Sequence, residues 1–116
     1  MASLLYPPSS NEIRAKRREL APDALAAFEA FSQRVFSDGA LSHKTKEIIA
    51  LAVAHVTQCP YCIKGHTRSA LRAGATPQEL MEAVWVAAEM RAGAAYAHST
   101  ISLATMQEDE AAAHPH

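Results

Sequence analysis

The chain has 116 residues, of which 49% are hydrophobic and 20% are charged, and its formal net charge is −1. This length fits a single domain, and the composition is that of an ordinary globular protein. A net charge near zero gives no basic footprint for nucleic acid and no polybasic patch for a membrane surface. Residues 1–8 contain neither the basic region nor the long apolar run of a secretory signal. We therefore expect a cytoplasmic protein that binds neither nucleic acid nor a membrane.

The sequence predicts an all-α fold, because glycine is scarce, alanine is abundant and no alternation of apolar and polar residues is long enough for a strand. An N-terminal arm at residues 1–10 precedes a short, charged first helix at residues 11–20. Pro22 suits the first turn of a second helix, which should stop at Asp38-Gly39.

The third and fourth helices have recognisable ends. Ser42 is placed to cap the third helix at its N-terminus. Pro60, directly after Cys59, fits the first position of the fourth helix, where the missing N–H of proline has no consequence. Gly74 is expected to end that helix as its C-terminal cap.

The fifth helix begins with the clearest signal in the chain. Residues 76–79, Thr-Pro-Gln-Glu, form a capping box with Pro77 at the first helical position. We expect Gly93 to break this helix before a last helical segment at residues 94–106. The domain then spans residues 11–106, and residues 107–116 are predicted to be a disordered tail.

Two of the predicted helices are apolar on more than one face. They contain the runs at residues 48–54 and 83–88. So small a protein can hardly cover such helices from within. We therefore predict burial against another subunit, in preference to a compact monomer with alanines on its surface.

The two cysteines of the chain form one motif, Cys59-Pro60-Tyr61-Cys62. This spacing is typical of thiol chemistry or metal binding, and a structural disulfide is the least expected use in the reducing cytosol. At a helix N-terminus the unpaired N–H groups and the helix dipole favour a thiolate. His66 follows Cys62 by one turn on the same face, within reach as a hydrogen-bond partner or proton acceptor. Glu47 could join them only by packing of the third helix against the fourth.

Metal binding is the main rival interpretation of the motif. Four candidate zinc ligands lie within a dozen residues: His55, Cys59, Cys62 and His66. The helical second half makes a tetrahedral arrangement difficult, and the usual long spacer between ligand pairs is absent. His55 is better interpreted as a hydrogen-bonded core or interface histidine. His98 could have that role or could line a cavity beside the cysteines.

From Lys44 to about His98 the chain resembles the carboxymuconolactone decarboxylase family, in its alkylhydroperoxidase D-like branch. The residues that carry the resemblance are Lys46-Glu47-Ile48-Ile49-Ala50-Leu51-Ala52-Val53, Cys59-Pro60-Tyr61-Cys62-Ile63-Lys64-Gly65-His66, Ala70 to Thr76, and the helix from Pro77. The glutamate, the cysteine pair and the histidine stand at the family's spacing. The arm, the first two helices and the tail fall outside the resemblance.

The resemblance implies an all-helical fold that assembles into trimers or hexamers and acts as a peroxidase or disulfide reductase. Cys62 would attack the hydroperoxide and Cys59 would resolve the sulfenic acid to a disulfide. Glu47 and His66 would form the proton relay. The resemblance implies no bound cofactor or metal, but an external dithiol donor such as a lipoyl group would reduce the disulfide.

One position departs from the branch's pattern, which has a histidine directly before the second cysteine. This chain has Tyr61 there. A phenol of ordinary pKa cannot share a proton near neutral pH, so we expect a weaker relay and low peroxidase activity.

Two other functions stay open from the sequence. In a lactone decarboxylase or related isomerase, Glu47 and His66 would do acid–base work while the cysteines are bystanders. The chain could also be a zinc-stabilised or purely helical interaction module without enzymatic activity. Activity that survives replacement of both cysteines would indicate the decarboxylase or isomerase. The metal content of the purified protein would test the zinc-stabilised module.

Overall fold

The computed structural model of the protein describes residues 5–113, which form five α-helices and no strand. The helices are α1 (Asn11–Leu20), α2 (Pro22–Phe36), α3 (His43–Thr57), α4 (Pro60–Arg72) and α5 (Pro77–Ala113). The predicted all-α class is confirmed. The first four helices begin where the sequence predicts, and α2 ends at Phe36, two residues before the predicted stop at Asp38-Gly39.

Side-chain caps account for these starts. The Ser42 hydroxyl accepts a hydrogen bond from the Thr45 N–H at 3.1 Å. At α5 the Thr76 hydroxyl accepts from the Glu79 N–H at 3.1 Å, and the Glu79 carboxylate accepts from the Thr76 N–H at 2.8 Å. Both predicted caps are thus present, and each one satisfies a backbone donor that the helix itself leaves unpaired.

A glycine allows the turn between α4 and α5. Gly74 has a φ of 100°, a conformation in which a Cβ atom is strained. Gly74 follows the C-terminal end of α4 as predicted, and it directs the chain back so that α5 can pack on α3.

The core is small and is centred on α3. Its buried members are Leu51, Ala70, Ala75 and Leu80, with Ile48 and Ile63 packed against them. These residues come from α3, α4, α5 and the α4–α5 turn, so α3 is held between α4 and α5. Neither α1 nor α2 contains a buried residue.

Two predictions about α5 are wrong. The helix passes through Gly93 without a break, and it continues to Ala113 through part of the predicted disordered tail. A glycine inside a helix costs only about 1 kcal/mol relative to alanine, and strong helix formers surround Gly93. The rest of that tail, residues 114–116, and residues 1–4 of the arm lie outside the described residues.

The molecule is elongated, with extents of 69 × 36 × 36 Å and a radius of gyration of 21.0 Å. A compact chain of this length would have a radius of about 13 Å. The difference arises from α5, which is about 55 Å long. Every residue of α5 after Gly93 is exposed. Within residues 5–113 no helix combines the length and the apolar character needed to cross a membrane.

Candidate active site

The cysteine pair lies at the N-terminal end of α4. Pro60 occupies the first helical position, so Cys59 becomes the N-cap, and its sulfur accepts a hydrogen bond from the Cys62 N–H at 3.4 Å. A sulfur in this position meets the positive end of the helix dipole. Both cysteines are free thiols, Cys59 half-buried and Cys62 exposed.

The two thiols have opposite pKa shifts. The hydrogen bond from the Cys62 thiol lowers the pKa of Cys59, and the backbone N–H groups of Cys62 and Tyr61 lower it further. Donating that same hydrogen bond raises the pKa of Cys62, as do partial desolvation and the charge on Cys59. When the pair loses one proton, the negative charge therefore resides on Cys59 and the proton stays with Cys62.

The second part of the site is a glutamate–histidine pair. Glu47 on α3 is only 5% exposed, and its Oε2 lies 2.7 Å from Nδ1 of His66 on α4. A carboxylate can only accept, so the His66 Nδ1–H donates to it. In the neutral imidazole this leaves Nε2 as the proton acceptor.

Two further residues surround this pair. The ring of Phe36 stacks on that of His66 with centroids 5.3 Å apart. Nε2 of His43 lies 3.8 Å from Oε1 of Glu47, which is an ion pair when His43 is protonated. His43 is held in turn by a 2.7 Å contact between its Nδ1 and the Phe36 carbonyl oxygen.

The glutamate–histidine pair opens into a cavity of about 780 Å³. The cavity is lined by Ser32, Gln33, Phe36, Ser37, Asp38, His43, Glu47 and His66. Neither cysteine lines this cavity. The candidate site therefore consists of a glutamate–histidine pair facing the cavity and a thiol pair at the N-terminal end of α4.

The structure brings together some of the predicted site residues and separates others. Glu47 reaches His66 through packing of α3 on α4, as the hypothesis required. His66 forms its hydrogen bond with Glu47, and no hydrogen bond joins it to a cysteine among residues 5–113. Tyr61 is exposed, and its hydroxyl donates to the Pro7 carbonyl at 2.8 Å.

The remaining histidines lie away from the thiols. Nδ1 of the half-buried His55 lies 2.9 Å from the Leu51 carbonyl oxygen, an interaction within α3. His98 is exposed on the last part of α5 and does not line the cavity beside the glutamate–histidine pair. Within residues 5–113 no three His, Cys, Asp or Glu side chains are grouped as metal ligands would be, so the four candidate zinc ligands do not form a site there.

Sequence reasoning missed His43 and Phe36. His43 precedes Glu47 by four residues, a spacing that puts two side chains on one face of a helix, so the sequence held a signal for it. Phe36 had no such signal, because its contact with His66 depends on how the end of α2 approaches α4.

Comparisons with known proteins agree with this fold. Residues 22–106 match the family model described as "Carboxymuconolactone decarboxylase family". The match includes α2, so the prediction that the first two helices both fall outside the family core is wrong for the second helix.

A curated relative from Paracoccus denitrificans, "Uncharacterized protein 4 in cox locus", is 62% identical over 86 residues, which are 74% of this chain and 78% of the relative. A crystal structure of a carboxymuconolactone decarboxylase family protein from Legionella pneumophila matches with a TM-score of 0.65 and 39% identity, covering 68% of this chain and 70% of that one. A structure from Methanobacterium thermoautotrophicum matches with a TM-score of 0.68 and 36% identity, covering 72% and 93%. The chain belongs to the carboxymuconolactone decarboxylase family.

Proposed function

We propose that the protein is a cytoplasmic thiol-dependent peroxidase or disulfide oxidoreductase of the alkylhydroperoxidase D-like type. The observation that carries the proposal is the cysteine pair at the N-terminus of α4, on the same helix as a histidine that Glu47 holds in one tautomer. Family membership supports it, since the family includes enzymes. No resident metal or cofactor takes part.

The pair loses its first proton from Cys59. In the proposed reaction the proton of Cys62 then passes to Nε2 of His66. The Cys62 thiolate attacks the distal oxygen of a hydroperoxide, so that an S–O bond forms and the O–O bond breaks. The protonated His66 returns its proton to the leaving alkoxide, which departs as an alcohol. Glu47 stabilises the imidazolium in between.

Cys59 completes the oxidation. Its thiolate attacks the sulfur of the Cys62 sulfenic acid, hydroxide leaves and takes up a proton as water, and a disulfide remains. Two electrons pass from the two thiols to the peroxide. An external dithiol, of the lipoyl type, then reduces the disulfide by thiol–disulfide exchange.

The lowered pKa of Cys59 favours a second order of events, in which Cys59 attacks and Cys62 resolves. Single serine variants separate the two orders. The variant that keeps only the attacking cysteine accumulates a sulfenic acid, which dimedone traps, whereas the variant that keeps only the resolving cysteine does not.

The first experiment is a free-thiol count and an intact mass on reduced protein, before and after a small excess of an organic hydroperoxide. Rapid loss of both thiols with a fall of about two mass units supports a Cys59–Cys62 disulfide. Thiols that survive would contradict the redox proposal.

One observation favours a second function. Glu47 and His66 line a cavity of about 780 Å³ that contains no cysteine, an arrangement suited to acid–base chemistry on a small organic acid. A lactone decarboxylase or isomerase of this kind would retain its activity when both cysteines are replaced by serine. The peroxidase would lose it.

We also propose that the protein is a homo-oligomer, a trimer or hexamer, in which other copies cover α5. The exposed surface is 9326 Å², whereas a compact monomer of 12.5 kDa would expose about 6200 Å². The excess is comparable to the area that obligate oligomers bury. Large exposed apolar residues on α5 include Met81, Trp85, Val86, Met90, Tyr96, Ile101, Leu103 and Met106.

Sedimentation of a charged variant tests this assembly. Ile101→Asp lies on the part of α5 that packs on no other described helix, so it should leave the protomer folded and shift the particle to a smaller mass. Gln107→Asp, at an exposed polar position of the same helix, is the control. A parent protein that sediments as a monomer would refute the proposal.

A further inference from the structure

A second cavity lies between α1 and α4, on the side of α4 away from the glutamate–histidine pair. Its volume is about 1060 Å³, close to the upper limit of small-molecule sites. We call it the α1–α4 groove. Its charged lining residues are Arg14 and Arg17 from α1 and Lys64 and Arg68 from α4.

The charge of the α1–α4 groove is of one sign. No aspartate or glutamate lines it. None of the four cations forms an ion pair among residues 5–113, although Lys16 and Arg18 of the same helix α1 pair with glutamates. The net charge of the whole chain is −1, so positive charge has been segregated into this groove.

Without a ligand, this clustering of positive charge destabilises the folded protein. Arg14 and Arg17 are three residues apart, and Lys64 and Arg68 are four apart, so each pair repels across one turn of its helix. Helix α4 contains no acidic residue that could relieve the repulsion. An anion held between the two helices would attract all four cations and so offset their mutual repulsion.

The rest of the groove lining is mainly apolar. Tyr6 of the arm packs edge-on against Tyr61, with ring centroids 6.1 Å apart. The Tyr61 hydroxyl donates to the Pro7 carbonyl oxygen and so fastens the arm to α4. Pro60 and Ile13 complete the apolar wall. The groove therefore offers cations for charged groups and rings for an organic part.

We propose that the α1–α4 groove binds a small organic anion with two or more phosphate or carboxylate groups. Each helix contributes two cationic side chains. Two such pairs match an anion with separated negative groups better than an anion with a single negative group. The guanidinium groups bind either anion through paired N–H donors. The proposal does not depend on the redox chemistry, since neither cysteine lines the groove.

Isothermal titration of the full chain with two probes, inorganic pyrophosphate and citrate, tests this proposal. We expect saturable binding that weakens as salt is raised. Tighter binding of pyrophosphate identifies a phosphate ligand, and tighter binding of citrate a carboxylate ligand. Arg17→Gln with Arg68→Gln, one substitution on each wall, should weaken binding by about a hundredfold, since each lost charge-assisted hydrogen bond contributes about tenfold.

The matched control is Lys16→Gln with Arg72→Gln. It removes the same charge from the same two helices at positions outside the groove. Equal weakening in both double variants would mean binding to net charge alone and would overturn the proposal, as would the absence of saturable binding.

Discussion

The two parts of the candidate active site are built in different ways. The thiol pair belongs to one turn at the start of α4, and it depends on Pro60 and on the helix N-terminus. The glutamate–histidine pair joins two helices, and its carboxylate is almost fully buried. One part is local and largely exposed, whereas the other depends on tertiary packing and has a buried carboxylate.

This difference teaches which property each part controls. A thiol on an exposed turn can change its charge and its bonding partner without disturbing the core, as redox cycling requires. A buried carboxylate cannot lose its partner without leaving an unsatisfied group in the interior. Substitutions in the thiol pair should therefore change chemistry alone, and those in the glutamate–histidine pair should change chemistry and stability together.

Serine in place of Cys62 should have the largest effect on turnover. We expect peroxide consumption with a dithiol donor to fall by more than about a thousandfold, because a hydroxyl does not replace the reacting thiol. Stability should change by less than about 0.5 kcal/mol, since Cys62 is exposed. Peroxidase assay and thermal unfolding measure the two effects. Full turnover in this variant would remove Cys62 from the mechanism.

Replacing Glu47 by glutamine should affect both properties. Loss of the charge that orients His66 should lower turnover by about a hundredfold or more, and loss of the buried hydrogen bond should lower the free energy of unfolding by about 1–3 kcal/mol. Kinetics and denaturant titration measure these changes. Glu82→Gln, on the exposed surface of α5, is the control. If Glu47→Gln lowers turnover without lowering the free energy of unfolding, the claim that the glutamate–histidine pair controls both activity and stability is wrong.

The pH dependence of alkylation should separate the two thiols. Because the pKa of Cys59 is lowered and that of Cys62 is raised, Cys59 should react first with iodoacetamide. As pH falls, its rate should decrease through a midpoint below the ordinary thiol pKa of about 8.5. Near neutral pH we expect a preference of about tenfold for each pH unit that separates the two pKa values. Mass spectrometry locates the label, and earlier labelling of Cys62 would contradict the pKa assignment.

The smallest effect on turnover is expected for a substitution at the start of α5. This variant also serves as a reference for the Cys62 and Glu47 variants. Thr76→Ala removes one half of the capping box and should lower the free energy of unfolding by about 1 kcal/mol. It lies outside both parts of the site, so turnover should not change. Denaturant titration and the peroxidase assay test this together. A loss of turnover would mean that activity follows general stability.

The residues that capping and local spacing control were predictable from the sequence. Ser42, Pro60 and the pair Thr76 and Glu79 mark helix starts through interactions that span only a few residues. Gly93 does not break α5 as predicted, because its local cost is small compared with the preference of its neighbours for a helix. The contact between Phe36 and His66 could not be predicted, since it joins residues far apart in the chain.

The sequence by itself determined the all-helical class, the five helix starts and the position of the thiol pair at a helix N-terminus, because each follows from interactions within one or two turns. Only the tertiary structure decided that Glu47 meets His66, that His43 and Phe36 surround them, and that four cations with no acidic neighbour face one groove. Those features depend on how α1, α3 and α4 lie beside one another. Net charge is a sum over the chain, and hydrophobic periodicity is a local average. Neither contains information on how these helices pack.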